Sequence, residues 1–548
     1  MNMNRIFTLF TTSSLIVATL VSCSDANIRG RVTAEGKPVG GVQVSDGKQI
    51  VTTDGRGRYS MVSDKKDSVV FITTPSGYVA SRAEGQVRPD FFALLTEGPD
   101  KCERHDFTLV KQDQSDYSVL FMTDVHFARY GKEVSEKGFT NDIFPVLSKL
   151  TQERLDAGKA VFCFQLGDFA HDAFWWENDY DERDAYDYLC KSNYQAPVFG
   201  VCGNHDNDAS IIGEDTDFRC VWQFRHVWGP DRYAMNIGND HWIFLDDIVY
   251  INNKAEKIKQ KNILGDRSYE GTLRQEQLDW IREDLKGVPA GTHIYICLHC
   301  PIFNTHRIDE SLPAEVIDQL DEIMAAYPKV TIYSGHAHMM HFPSTGKYTR
   351  FEQFVLPATS GDMWYNASKG MISMSGDGCE AGIFTADNYG SGTPTYEYNT
   401  LKFGPKAMRV YDMNEVGKYY RANKDVMEMV HNFGQYRHDF TSRAFRNMVL
   451  VDYYMHRPGE TLHLIENGKE LPVKQDKIED PTYNVTHFLD EAGGKFKKGI
   501  RNYRYPHMFT AQAETATSPI LIRVTDADGK VVREQELVRP KPFNPDGE

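Results

Sequence analysis

The chain of 548 residues is long enough for roughly two to four domains. Its hydrophobic fraction of 41% and charged fraction of 25% are ordinary for a folded protein. The formal net charge of −16 argues against a protein that binds nucleic acid by neutralising phosphates, so we expect no nucleic-acid partner. It does not exclude a phosphorylated small molecule, because bound cations can make a site locally positive.

The first residues have the pattern of a signal that is removed after export. Arg5 gives a weakly basic start, and residues 6–21 are apolar but too short for a membrane-spanning helix. The following Leu-Val-Ser-Cys, which ends at Cys23, resembles the lipobox of bacterial lipoproteins. The resemblance implies a signal peptide over residues 1–22, a lipidated Cys23, and an exported lipoprotein anchored to a membrane in the periplasm or at the cell surface. An ordinary signal peptide with a chance cysteine is the alternative.

Residues 27–110 have the pattern of a small β-sandwich. Apolar stretches such as residues 42–44 and 68–72 are separated by Asp-Gly and Glu-Gly turns at intervals of roughly ten residues. The segment 30–59 resembles carboxypeptidase-regulatory-like modules. Its Asp-Gly pairs are explained better by hairpin turns than by calcium binding. Residues 111–116 are a predicted linker to the next domain.

From residue 117 to about 345, predicted strands alternate with predicted helices. The alternation indicates an α/β domain in which helices cover the sheets. The second helix is expected to begin with a capping box formed by Thr272 and Gln275 and to end before Gly287. The predicted strands are residues 117–123, 160–166, 197–202, 241–246, 293–298 and 329–334, and the predicted helices lie near 140–156, 272–286 and 313–326.

The remaining residues, 346–545, are predicted to form a C-terminal β-rich domain. Its clearest β-like runs are residues 448–454, 461–465 and 519–524. Asp526-Ala527-Asp528-Gly529 has the composition of a calcium loop but lacks the downstream ligands, so a hairpin turn is the better interpretation.

Five short polar motifs follow five of the six predicted strands of the α/β region. Functional groups at the carboxyl ends of strands are typical of open α/β folds. The motifs supply two Asp, one Asn and four His as candidate metal ligands, and one further His. They are Asp124-Val125-His126, Gly167-Asp168, Gly203-Asn204-His205-Asp206, His299 and Gly335-His336-Ala337-His338.

These residue types predict a site for two divalent transition-metal ions. Carboxylates and imidazoles together suit Mn, Zn or Fe better than Mg or Ca. The spacing of Asp124 and His126 places both side chains on one side of a strand, where they can chelate one ion. Asp168 can use both carboxylate oxygens to bridge two ions. A water between two such ions is deprotonated near neutral pH, so we expect a bridging hydroxide to be the nucleophile.

His205 is the histidine left over for proton transfer. An imidazole near its ordinary pKa can protonate a leaving alkoxide, and the adjacent Asp206 is expected to hold its tautomer. We therefore predict that His205 and Asp206 are catalytic residues. Each motif alone could be ordinary turn sequence or a structural histidine. The occurrence of all five in this order, each after a predicted strand, is not explained by chance.

The five motifs resemble the pattern of the calcineurin-like metallophosphoesterases, including a bacterial subgroup with extra N- and C-terminal domains. The resemblance covers about residues 120–340 and implies a four-layer α/β/β/α sandwich. It gives His205 a general-acid or transition-state role, and it leaves His171 as an ordinary loop residue. It implies one metal held by Asp124, His126, Asp168 and His338, and a second held by Asp168, Asn204, His299 and His336.

The expected function is metal-dependent hydrolysis of phosphomonoesters or phosphodiesters, with a phosphorylated small molecule or lipid as substrate. One alternative is a nucleotidase or pyrophosphohydrolase acting on nucleotide or lipid diphosphates. Another is a non-catalytic surface lipoprotein with a relic metal core. Trp175, Trp176, Trp364 and Tyr365 are candidates for stacking on a substrate, although packing at domain contacts is the favoured interpretation.

Overall fold

The structure is a computed structural model that describes residues 26–129, 134–257, 260–303, 312–361, 364, 373–434, 438–489 and 507–547. The predicted signal peptide, Cys23 and Tyr365 lie outside the described residues. Within the described ranges, no helix combines the length and apolarity needed to cross a bilayer.

The N-terminal region consists of short strands, as predicted. The strands are β1 (Ile28–Ala34), β2 (Lys37–Pro38), β3 (Gln43–Ser45), β4 (Ile50–Thr52), β5 (Arg58–Met61), β6 (Val69–Ile72), β7 (Tyr78–Ala80), β8 (Phe92–Leu94), β9 (Glu103–Arg104) and β10 (Phe107–Lys111). In one sheet β1 pairs with β2, β5, β9 and β10, and β10 pairs with β7. A second sheet has the order β4-β3-β6-β8. Glu35 and Gly36 form the turn between the first two strands, with positive φ of 49° and 74°.

The α/β region begins immediately after this module, and all six predicted strands and all three predicted helices are confirmed. Its first half contains β11 (Tyr117–Met122), α1 (Val134–Gly138), α2 (Phe144–Asp156), β12 (Ala160–Gln165), α3 (Asp172–Trp175), α4 (Glu182–Lys191), β13 (Val198–Gly200), α5 (Thr216–Cys220), α6 (Trp222–Val227), β14 (Arg232–Ile237), β15 (Asp240–Leu245) and β16 (Ile248–Ile251).

The second half adds the remaining strands of the two main sheets. It contains β17 (Ser268–Gly271), α7 (Gln275–Asp284), β18 (Ile294–Cys297), α8 (Ala314–Ile323), β19 (Val330–Ser334), β20 (Phe351–Val355), β21 (Gly382–Asp387), β22 (Thr395–Thr400) and β23 (Gly404–Pro405).

The start of α7 differs from the predicted capping box at Thr272 and Gln275. The helix begins at Gln275 itself, and the backbone N–H of Arg274 donates to Oε1 of Gln277 at 2.9 Å. The N–H of Thr272 instead donates to the carbonyl of Asp247, which ties the segment before the helix to the end of β15. The prediction was therefore wrong by two residues, because a tertiary contact uses the residue that the sequence pattern assigned to the cap.

Two mixed sheets pack face to face, in the strand orders β13-β12-β11-β21-β22-β23 and β14-β15-β18-β19-β20. Alternate side chains of β11 face opposite layers. Phe121 packs on Tyr333 of the second sheet, with 4.4 Å between the ring centroids. Leu120 and Met122 belong to the hydrophobic cluster that includes residues of α2 and α4. On the far face of the second sheet lie α7 and α8. Helix, sheet, sheet and helix form the four layers that the resemblance implied. Because these strands are buried on both faces, their sequences are continuous apolar runs.

The two sheets continue past residue 345, where the predicted α/β domain ends. The strand β20 pairs with β19, and β21 pairs with β11, so both complete the sheets that carry the motifs. A sequence pattern cannot assign such strands, because their partners lie far away along the chain.

The C-terminal region is β-rich, as predicted. Its elements are β24 (Arg409–Asp412), α9 (Met413–Ala422), α10 (Lys424–Phe433), β25 (Met448–Asp452), β26 (Thr461–Glu466), β27 (Lys469–Leu471), β28 (Val473–Gln475), α11 (Pro481–Tyr483), β29 (Met508–Gln512), β30 (Ile520–Thr525) and β31 (Val531–Leu537). The strands form two four-stranded sheets, in the orders β24-β25-β29-β28 and β27-β26-β30-β31.

The pair of helices α9 and α10 was not predicted. In α9, a Cβ added at Gly417 would lie 2.7 Å from the carbonyl oxygen of Phe440. Close packing therefore requires glycine there, and glycine has a low helix propensity, which weakens the helical signal of the sequence.

Short helical turns of other types complete the secondary structure of the described residues. The π-helical turns are Phe139–Ile143 and Asn484–Phe488, and the 3-10 turns are Leu285–Gly287, Met324–Ala326, Tyr389–Ser391 and Arg443–Phe445.

A buried arginine joins the N-terminal module to the α/β region. The guanidinium of Arg232 donates from Nε to the carbonyl of Gly47 at 2.7 Å and from Nη2 to Asp67 at 2.7 Å. Its Nη1 donates to Asp231 at 3.0 Å. The side chain is 2% exposed, so these partners replace nearly all of its hydration.

We predict that Arg232→Met destabilises the protein by about 3–5 kcal/mol, because it leaves the buried Asp67 without its cationic partner, whereas Asp231 keeps Arg225 and Arg274. Urea denaturation followed by tryptophan fluorescence measures the loss. The matched control is Arg523→Met. Arg523 pairs with Glu534 at 2.7 Å, but both side chains are more than a third exposed, so the loss should stay below about 1 kcal/mol. Equal losses in the two variants would show that the interface does not depend on Arg232.

Candidate active site

The five motifs meet at one edge of the two-sheet core. Motifs 124–126, 167–168 and 203–206 follow β11, β12 and β13 of the first sheet, and His299 and motif 335–338 follow β18 and β19 of the second. The strands of each set are parallel, so the motifs of each sheet lie at one end of it. The distance of 3.3 Å between Asp168 and His299 shows that these two ends meet. The side chains that the sequence singled out as ligands are therefore brought together from two different sheets.

The first ligand group contains four residues whose ligand atoms lie within 4.8 Å of one another: Asp124, His126, Asp168 and His338. The two imidazole Nε2 atoms, of His126 and His338, are 3.0 Å apart. His338 Nε2 is 3.1 Å from Asp124 Oδ1. These are the four residues that the resemblance assigned to one metal.

The second ligand group shares Asp168 with the first and adds His299 and His336. His299 Nε2 lies 3.3 Å from Asp168 Oδ2 and 3.1 Å from Asn204 Oδ1. His336 Nδ1 lies 3.1 Å from the same His299 nitrogen. Asn204 thus joins the group, as the resemblance implied, and Asp168 is the residue common to both groups.

The donor set fits cations. His299 Nδ1 is 2.7 Å from the carbonyl of Leu166, to which it donates, so Nε2 is the nitrogen that faces the oxygens of Asp168 and Asn204. Carboxylate, amide and imidazole atoms converge there at about 3 Å, an arrangement that a bound cation would stabilise. The buried Asp124 Oδ1 receives no hydrogen bond of good geometry from the described residues, although His338 Nε2 lies 3.1 Å away.

The electrostatics keep the shared carboxylate ionised. Burial alone would raise the pKa of Asp168, but His299 and His205 beside it hold that pKa well below its usual range. An ionised carboxylate that is buried among imidazoles is a suitable ligand for a divalent cation.

The backbone of the ligand residues is left-handed. Asp124, His126, Asp168, His336 and His338 have φ between 50° and 62°. The strand β11 ends at Met122, so the spacing argument for Asp124 and His126 was wrong in its mechanism. The two side chains converge because both residues adopt the left-handed conformation in the turn after the strand, not because a strand repeats every two residues. Such outliers persist where surrounding contacts enforce them.

Three motif glycines make room for the ligands. An added Cβ at Gly167 would lie 2.3 Å from His299 Nδ1, and one at Gly203 would lie 2.2 Å from the backbone nitrogen of Asp168. At Gly335 it would lie 1.8 Å from Thr123 Oγ1 and 2.6 Å from Asp124 Oδ2. Any larger residue at these positions would push on the ligands or on the backbone that carries them.

His205 lies beside the first group, but its partner is Asp172 instead of Asp206. Its Nδ1 is 2.7 Å from Asp172 Oδ1, while its backbone N–H donates to Asp168 Oδ1 at 2.7 Å. The Asp206 carboxylate accepts from the backbone N–H groups of Ala170 and Gly203. The predicted role of Asp206 in holding the His205 tautomer is therefore wrong, because a turn directs its side chain back to the backbone. Asp206 shapes the loop instead.

His171 is part of the site and not an ordinary loop residue. Its ring stacks on that of His205, with centroids 4.2 Å apart and an interplanar angle of 16°. It is 5% exposed, and its ring nitrogens lie close enough to those of His126 and His205 to form a third candidate group for a cation.

Two further residues reach the ligands from the hairpin β16–β17. Arg267 donates from Nε and Nη2 to the two oxygens of Asp172, both at 2.6 Å. The hydroxyl of Tyr269 is 3.2 Å from His336 Nε2. Sequence reasoning missed both, because they lie about 60 residues from the nearest preceding motif and carry no motif of their own. Asp172 was detectable in principle, since it lies four residues after Asp168, at the start of α3.

The four aromatic residues that were considered for stacking on a substrate lie in different surroundings. Trp175 is buried, and Trp176 donates to Asp208 at 3.0 Å. Trp364 donates to the carbonyl of Val125 at 2.6 Å, so its indole holds the first motif. Tyr365 lies outside the described residues. For the three tryptophans, packing is the better interpretation.

Comparison with known sequences identifies two profiles. One, described as calcineurin-like phosphoesterase, matches residues 117–340 and therefore all five motifs. The other, described as the N-terminal part of calcineurin-like phosphoesterase, matches residues 26–112. Together they cover more than half of the chain. No curated protein matches the chain significantly.

Among solved structures, the chain is similar to a dimetal phosphatase from Danio rerio, with 12% identity, a TM-score of 0.31, and coverage of 50% of this chain and 92% of that one. It is also similar to a 5'-nucleotidase from Candida albicans, with 11% identity, a TM-score of 0.31, and coverage of 53% and 52%. Likenesses this distant carry no argument about substrate.

Proposed function

Since the chain belongs to the calcineurin-like phosphoesterases and is a hydrolase by family, we propose that it hydrolyses phosphoesters with two divalent transition-metal ions, Mn, Zn or Fe. The observation that carries the proposal is the shared carboxylate of Asp168, which lies in both ligand groups. Residue groups that share one carboxylate would hold two ions close enough together for both to contact one phosphoryl group.

The candidate ligands form two sets, one for each ion. Besides the common Asp168, the first ion would be held by Asp124, His126 and His338, and the second by Asn204, His299 and His336. When bound, such a pair supplies an activated water and neutralises the charge of the phosphoryl group. A phosphorylated small molecule or lipid is the proposed substrate.

His205 is positioned to protonate the leaving group. Its Nδ1 faces Asp172, so the carboxylate orients the ring and leaves Nε2 for the substrate. Its side chain is 22% exposed, so a ligand can approach it. The backbone bond to Asp168 fixes it beside the shared ligand.

We predict that Asp168→Asn lowers the occupancy of both ions and abolishes phosphoester hydrolysis. Asn fits the left-handed backbone at this position, so the change removes charge and not the conformation. Elemental analysis of purified protein gives the metal content, and p-nitrophenyl phosphate gives the turnover. Asp179→Asn is the matched control, since Asp179 also has a positive φ but an 85% exposed side chain. Full metal content and normal turnover in Asp168→Asn would refute the shared-ligand assignment.

We predict that His205→Ala keeps both ions but loses rate in proportion to the basicity of the leaving group. General acid catalysis contributes typically about 10²–10⁴-fold, so turnover of alkyl phosphates should fall by this order. The loss on p-nitrophenyl phosphate should be smaller, because that leaving group needs little protonation. Equal slowing of both substrates would instead indicate that His205 stabilises charge on the phosphoryl oxygens.

We also propose that the enzyme is an exported bacterial lipoprotein, anchored in the periplasm or at the cell surface through lipid on Cys23. The support is the Leu-Val-Ser-Cys segment at the end of an apolar stretch. In the native host, the protein should partition into the detergent phase of a phase-separation assay. Cys23→Ala should release it into the soluble fraction or stall its processing. Soluble behaviour of the unmodified protein would count against the anchor.

A further inference from the structure

The hairpin β16–β17 forms a wall along both ligand groups. Arg267 lies immediately before β17 and beside His205, and Tyr269 lies two residues later in β17 beside His336. His205 borders the first group, and His336 belongs to the second. A phosphoryl group bound over the two groups would therefore lie against this hairpin.

The guanidinium of Arg267 is held rigidly at this wall. Its Nε and Nη2 each donate a hydrogen bond of 2.6 Å to the carboxylate of Asp172, and Nη2 is 3.0 Å from His205 Nδ1. Its backbone N–H donates to Asn252 Oδ1 at 2.9 Å. Asn252 in turn donates to the carbonyls of Ala209 and Ile211, just after the third motif. The arginine is thus preorganised relative to the metal ligands before any substrate binds.

Part of this guanidinium is free to bind a ligand. Among the described residues, none accepts a hydrogen bond from Arg267 Nη1, and the side chain is 27% exposed although Asp172 is 1% exposed. The exposed nitrogen belongs to a guanidinium whose Nε and Nη2 donate to Asp172 and whose Nη2 lies 3.0 Å from His205 Nδ1. It is therefore a charged donor that is available beside the candidate proton donor. Arginine is well suited to phosphate oxygens, because its donors are charged and fixed in one plane.

The number of oxygens on the phosphorus decides what this donor can recognise. A phosphomonoester has three nonbridging oxygens, and an internal phosphodiester has two, with an alkoxy group in place of the third. If the ion pair neutralises two of them, a third oxygen needs another cationic donor. A guanidinium stabilises an anionic oxygen there and gains little from an alkoxy oxygen.

We propose that Arg267 binds the third phosphoryl oxygen and makes this site select a terminal phosphate, in a phosphomonoester or at the end of a diphosphate, over an internal phosphodiester. This inference rests on the proposed phosphoester hydrolysis and names its substrate class. Arg267 is then a specificity-determining residue, and Asp172 holds both Arg267 and His205 in place.

The test compares Arg267→Gln with the unmodified, metal-loaded protein. Binding of inorganic phosphate is measured by isothermal titration calorimetry, and kcat/KM is measured for p-nitrophenyl phosphate and for bis-p-nitrophenyl phosphate. We expect phosphate affinity and the monoester kcat/KM to fall about 10- to 100-fold, the range for a lost hydrogen bond to a charged group. The diester kcat/KM should change much less, and metal content should be unchanged.

Two controls separate this role from a structural one. Arg219→Gln removes the same charge from an exposed position on α5 and should leave all values unchanged. Alkyl phosphates show whether Arg267 acts through His205. Loss of an oxygen contact should be the same for alkyl and aryl monoesters, whereas loss of His205 positioning should be larger for alkyl monoesters.

Three results would overturn the proposal. They are unchanged phosphate affinity in Arg267→Gln, equal losses on monoester and diester, and loss of metal from the variant, which would make Arg267 a support for the ligands. Failure of the proposed function gives a different result: the unmodified protein would turn over neither ester, while the phosphate titration would still report on Arg267.

Discussion

The shared carboxylate of Asp168 is the constraint on which the site depends. One of its oxygens faces His299 and His126, and the other accepts the backbone N–H of His205. Asp168 comes from the first sheet and His299 from the second, so the packing of the two sheets sets the separation of the ligand groups. Aromatic contacts such as Phe164 on Trp242, at 4.9 Å between centroids, hold that packing. The chemistry of a few polar residues therefore relies on a large apolar interface that never touches the substrate.

The site also depends on the left-handed backbone conformation of the candidate ligand residues. A left-handed residue other than glycine costs about 1–2 kcal/mol, so the ligand turns would relax if they were free. Neighbouring segments hold them in place: Asp124 and His126 donate their backbone N–H groups to the carbonyls of Gly167 and Asp168, and Ser360 and Trp364 bind the carbonyls of the first motif. The segment after β20 thus belongs to the site functionally, although it contributes no predicted ligand.

The C-terminal region supports the site in a similar way. Asp377 accepts the backbone N–H of Met340, just after the last motif, and lies 3.0 Å from His507 Nε2. His507 in turn contacts Asp452 at 2.7 Å, and all three side chains are buried. A buried carboxylate–imidazole–carboxylate chain therefore connects the C-terminal sheet to the loop that carries His336 and His338. The N-terminal module is held by a different buried residue, Arg232 on β14.

The sequence by itself determined the motif-bearing strands, the candidate ligand residues and the α/β class. Strands buried on both faces are continuous apolar runs, and Asp168 or His338 at a strand end is visible without knowledge of any partner. Only the tertiary structure decided that β20 to β23 complete the sheets, that Asp172 and not Asp206 orients His205, and that His171 stacks inside the site. It also brought Arg267 and Tyr269 to the ligands. These outcomes depend on contacts between residues far apart in the chain or on the direction of a side chain in a turn, and local pattern encodes neither.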